Sequence, residues 1–170
     1  MDQLRNYTRY KAQRLDPAVT PLVARATVAG DDAFCELAAV AEDQWVLSGE
    51  AVPRSFAVDN EQWESRAALN AYLVGIDRAK FEKAARVAAD LWFWENPKRE
   101  GEVTAAFMRR YDEVVQAPDR FIAEFGVRYV ALEAEGPQMA DRHIDHLRAG
   151  WTMLQRGPYW QIWERENSGS

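Results

Sequence analysis

Apolar residues recur along this chain at helical spacing in long stretches and as compact runs in short ones, and their order predicts a layered α/β domain. Near the start, Leu4, Tyr7, Tyr10 and Leu15 form an imperfect helical stripe that Pro17 and Pro21 break. Asp31 or Asp32 then caps a helix with Phe34, Leu37, Ala38 and Ala41 on one face, ending near Glu42. The run Trp45-Val46-Leu47, closed by Ser48-Gly49, reads as a short buried strand. Asn60 opens a helix carrying Trp63, Ala67, Leu69, Tyr72, Leu73 and Ile76, with its end at Gly75. Asp77 caps the most regular helix of the chain, whose face is Phe81, Ala84, Ala85, Ala88, Leu91 and Trp92.

Asn96-Pro97 interrupts that pattern, and the charged stretch from Lys98 to Glu102 leads into a helix with Val103, Phe107, Tyr111 and Val114. Pro118 starts a short helix that Gly126 ends, releasing the chain into the strand Val127 to Leu132. A helix is expected over residues 138 to 148. Strands Trp151 to Gln155 and Tyr159 to Arg165 follow as a hairpin through Arg156-Gly157-Pro158. Helices separate the first two strands, so the expected fold is a small mixed β-sheet of about four strands, ending in a C-terminal hairpin, with five or six helices packed on it. Domain organisation reads as a connecting arm over residues 1 to 30, a single α/β domain over 31 to 166, and a disordered tail over 167 to 170.

Length and composition narrow the class. A chain of 170 residues holds one core, and 48% hydrophobic with 28% charged residues is ordinary for a globular protein. The net charge of −6 disfavours nucleic acid as a partner. That charge is unevenly spread: residues 1 to 30 hold five basic residues against two acidic, a net of +3, leaving −9 for the rest. The sequence has no run of apolar residues long enough to span a bilayer, so the chain is expected to be soluble. A single cysteine, Cys35, excludes an internal disulfide and reads as a small buried residue.

Three groups of residues invite a chemical reading. His143 and His146, with Asp141 and Asp145 nearby, hint at a metal site, but the spacing is i, i+3 and the zinc-hydrolase pattern is absent. A half-exposed helix with its histidines at the border is the preferred reading, with no cofactor or metal expected. Ser48, Glu50 and Arg54, on the loop leaving the first strand, together with Arg66 on the next helix, occupy the edge where open α/β sheets bind ligands. No phosphate-binding glycine motif and no nucleophile elbow accompanies them. Seven tryptophans are the third group. Trp92 and Trp94 cannot share one helix face with their neighbours, and Trp160 and Trp163 point to opposite faces of a strand. They either fill a core covered on both sides or form an interface.

The order Asn70-Ala71-Tyr72-Leu73-Val74-Gly75-Ile76-Asp77, then Phe125-Gly126-Val127-Arg128-Tyr129-Val130, then Gly157-Pro158-Tyr159-Trp160-Gln161-Ile162-Trp163-Glu164-Arg165 resembles the soluble C-terminal domain of large multi-pass bacterial membrane proteins. Some of those resemble glycosyltransferases that use lipid-phosphate sugars, and many are uncharacterised. The resemblance covers about residues 45 to 165 and rests on strand and packing motifs. It implies a body attached beside the bacterial cell membrane, on the extracytoplasmic face, whereas the basic arm would favour the cytoplasmic side. No catalytic residue is carried over, because the family's catalytic carboxylate lies in loops between membrane spans. The expectation is therefore a non-catalytic accessory domain docking on the membrane-embedded part of the same or a partner protein, with a homodimer also open. The alternative is a sugar- or small-ligand-binding domain, or an enzyme, using Ser48, Glu50, Arg54 and Arg66.

Overall fold

The computed structural model describes residues 16–19, 22–31, 33–35, 45–47, 60–93, 96–135, 139 and 142–166. It is a small α/β fold built on a five-stranded mixed sheet. The strands are β1 (Thr27–Gly30), β2 (Trp45–Val46), β3 (Val127–Glu133), β4 (Trp151–Arg156) and β5 (Trp160–Arg165), in the order β2-β1-β3-β5-β4. β2 and β3 both run parallel to β1, while β5 is antiparallel to β3 and to β4. The chain thus leaves β1 to form β2 on one side and returns to form β3 on the other.

Among the described residues, four α-helices lie between β2 and β3: α1 (Asn60–Leu73), α2 (Arg78–Phe93), α3 (Pro97–Gln116) and α4 (Pro118–Glu124). Asp77 caps α2 as expected, and Asn96, read from sequence only as a break in the pattern, caps α3. The Asp77 carboxylate accepts from the Lys80 amide at 2.8 Å, and the Asn96 side chain accepts from the Arg99 amide at 3.2 Å with Pro97 opening the helix. After α4, Gly126 takes φ +60°, a left-handed conformation that glycine adopts without a steric penalty.

Alternation along the strands divides the core into two layers. Ala29, Val130, Leu132 and Trp163 face α1 to α4, where Leu69, Leu73, Phe81, Phe107, Tyr111 and Phe121 meet them. Val28, Tyr129, Ala131, Trp160 and Ile162 face the other way, onto Ala18, Val19 and Phe34. Phe34 meets Trp160 edge to face at 5.1 Å, and Tyr111 stacks on Phe81 at 4.9 Å.

Two local expectations change. Residues 27 to 30, read as the end of an arm, form a strand of the sheet between β2 and β3, and Ala18 and Val19 pack in the core. With it the sheet holds five strands, in keeping with the small mixed sheet expected, and Thr27–Gly30 was not read as a strand because four residues show too little alternation. In place of a helix over 138 to 148, residues 142 to 144 are irregular and Asp145–Ala149 is a single 3-10 turn ending at Gly150. The helix expected after Asp31 is present at Ala33 to Cys35, and its continuation lies outside the described residues.

Candidate functional site

A parallel β1 with its successors on opposite sides creates a crevice at the carboxyl ends of β1 and β3, the usual ligand position in open α/β sheets. A cavity of about 270 Å³ lies there, lined by Gly30, Asp31, Asn70, Glu133 and Arg142 among others. Its polar groups are engaged with one another. The Asn70 side chain accepts from the Gly30 amide at 2.9 Å and donates to the Gly30 carbonyl at 3.0 Å. Asp31 accepts from the Glu133 amide at 2.8 Å and forms a buried ion pair with Arg142. These bonds tie β1 to β3, to α1 and to the segment before the 3-10 turn, so this edge is braced by its own hydrogen bonds.

The opposite edge is built differently. An open groove of about 720 Å³ runs along the amino ends of β1 and β2, bounded by residues 23 to 27, Trp45, Val46, Arg66, the end of α4 and Arg128. Trp45 is the first residue of an edge strand and 63% of it is exposed; Val23 across the groove is 47% exposed. Arg25, at φ +60°, is a non-glycine residue in the left-handed region, a conformation that costs energy and marks a constrained turn. Arg66 is half-buried, with its guanidinium 5.2 Å from the centre of the Phe125 ring. Arg128 lies over Tyr129 and is held by Glu164 at 3.0 and 3.1 Å. Arginine and tryptophan are the residues most enriched where binding energy concentrates in interfaces.

The residues singled out from sequence are dispersed. Ser48, Glu50, Arg54 and Trp94 lie outside the described residues, as does the side chain of Trp92. Arg66 sits beside the amino ends of β1 and β2, away from the carboxyl edge expected for it. Trp160 is fully buried and Trp163 is 7% exposed, so both rings belong to the core, one on each face of the sheet. The Trp163 indole donates to Gln161 at 3.3 Å. His143 is exposed, while His146 rests against Tyr72 at 4.5 Å with Nε2 3.3 Å from the Leu73 carbonyl. Burial holds the His146 imidazole below its usual pKa, against the smaller opposing pull of backbone contacts and Asp145. No cluster of three metal-ligating side chains occurs among the described residues.

Sequence reasoning missed Trp45 as a surface residue, and it missed Arg25, Arg128, Asp31, Asn70 and Arg142 as site residues. The arginines carried a weak signal, since Arg25 follows the Pro-broken segment and Arg128 interrupts an apolar strand. Asn70 carried none, because a polar residue on a helix is ordinary.

No protein family, curated protein or solved structure matches this chain. Among the described residues, no helix is long and apolar enough to cross a membrane.

Proposed function

We propose that this is a non-catalytic accessory domain that docks through its amino-edge groove onto an apolar, acidic segment of a protein embedded in a bacterial membrane. The observation that carries it is Trp45: a largely exposed indole on an edge strand, at the mouth of an open groove bordered by Arg25, Arg66 and Arg128. An indole left in water is an anchor that gains most when a partner covers it. With a chain charge of −6, a bare anionic bilayer is repelled at long range, and the Arg66 guanidinium in the groove favours a discrete acidic segment at short range. The resemblance to soluble domains of membrane proteins supplies the location. The alternative of a ligand site at the carboxyl edge has less support, because Asp31, Asn70 and Arg142 already bond within the domain.

Photo-crosslinking tests the docking. A benzophenone amino acid at Val23 is expected to crosslink one membrane protein through an acidic segment identified by mass spectrometry. A synthetic peptide of that segment should bind the purified chain, and Trp45→Ala should weaken it by about tenfold or more. Crosslinking at Val87, exposed on α2, is the control. Equal crosslinking at both positions, or peptide binding indifferent to Trp45→Ala, would overturn the proposal.

A further inference from the structure

Arg66 differs from the other arginines that are withdrawn from water. Arg142 is paired with Asp31, Arg110 with Glu113, and Arg165 with Asp119. Arg66 has no carboxylate partner among the described residues, and its Nε is buried with no hydrogen-bond acceptor. Glu124 lines the same groove without forming an ion pair with it. A guanidinium that is partly desolvated, held against the Phe125 ring and left without an acceptor is an incomplete arrangement.

We infer that Arg66 is the receptor for a carboxylate carried by the docking segment, gripped through the terminal nitrogens of its planar fork. The inference rests on the docking proposal and names the group that the segment must present. The charges around the groove favour a monoanion. Among the described residues, Glu164 already holds Arg128, and Glu124 lines the groove together with Arg66. One carboxylate matches the single guanidinium of Arg66, whereas a phosphate dianion brings an uncompensated negative charge beside Glu124. Trp45 and Val23 then cover the apolar residues on either side of the acidic one.

The full chain, labelled with ¹⁵N, would be titrated with sodium acetate at constant ionic strength, with chloride as the balancing salt. The Arg66 Nε–H resonance and the backbone amides of Phe125 and Gly126 are expected to shift saturably. Arg66→Gln should raise the half-saturation concentration of the amide shifts by about tenfold, and Arg66→Lys should retain part of the affinity. Melting temperatures confirm that both variants fold. No saturable shift, or shifts unchanged in Arg66→Gln, would overturn the inference. Inorganic phosphate binding about tenfold tighter than acetate would overturn the choice of carboxylate. Loss of acetate binding with the Val23 crosslink and the Trp45 dependence intact would sink the Arg66 assignment alone. Loss of the Trp45 dependence would sink the docking proposal itself.

Discussion

The side-chain amide of Asn70 replaces a strand residue opposite Gly30. On this side of β1 the ladder runs from the Trp45 amide to the Ala26 carbonyl and from the Leu47 amide to the Val28 carbonyl. The next rung falls at Gly30, and there Asn70 accepts from the amide and donates to the carbonyl. One helix residue thereby completes the hydrogen bonding of a parallel strand where β2 has ended.

Asn70→Ala should therefore cost about 1–3 kcal/mol, because it leaves the buried Gly30 amide unpaired and its carbonyl with only the weak Cys35 thiol donor at 3.6 Å. Urea denaturation measures it. A cost below about 1 kcal/mol would mean that water takes the place of the amide.

Asp16 fastens the N-terminal segment to the β4–β5 turn. Its buried carboxylate accepts from the amides of Ala18 at 2.9 Å, Tyr159 at 2.8 Å and Trp160 at 3.0 Å. A Cβ at Gly157 would overlap that carboxylate. Gly157→Ala is expected to destabilise the wild type by about 2 kcal/mol or more, and to be much milder in an Asp16→Ala background. The coupling energy from the double-mutant cycle checks it, and additive effects would disprove the contact.

Trp45 and Trp160 should separate stability from binding. Trp160→Ala removes a fully buried ring and is expected to cost about 3–5 kcal/mol, whereas Trp45→Ala should change stability by less than about 0.5 kcal/mol. Thermal and chemical denaturation of the two variants decide this. A strongly destabilised Trp45→Ala would return that ring to the core.

His146 should make stability fall in mild acid. Burial against Tyr72 lowers its pKa in the folded state, so the unfolded chain takes up the proton first as pH drops below the ordinary histidine value near 6.5. Stability is then lost until the depressed folded-state pKa is passed, and it levels off below. The slope of unfolding free energy against pH in that window should flatten in His146→Gln. An unchanged slope would assign the acid sensitivity elsewhere.

Much of the fold was legible because it is governed by local rules. The cap at Asp77, the break at Asn96-Pro97, the left-handed stop at Gly126 and the opposed faces of Trp160 and Trp163 all depend on neighbours within a few residues. The region before Gly150 was misread because His143, Ile144 and Leu147 imitate helical spacing. There the chain bonds outward, with the His143 amide on the Gly75 carbonyl and Arg142 on Asp31. Strand β1 was missed because four residues carry too little alternation to outweigh the prolines before them.

The candidate site was far less legible, and Trp45 shows why. By sequence, Trp45-Val46-Leu47 is an apolar run like any buried strand. In the sheet it lies at an edge, with Leu47 buried and Trp45 facing water. What the sequence determined by itself was the succession of helices and strands and the face on which each side chain stands, since backbone periodicity is short-ranged. Only the tertiary structure decided which tryptophan is left exposed, which arginine lacks an acceptor and which asparagine completes a strand. Exposure and pairing depend on the order of strands in the sheet, and that order joins residues such as Gly30 and Asn70 across forty positions of chain.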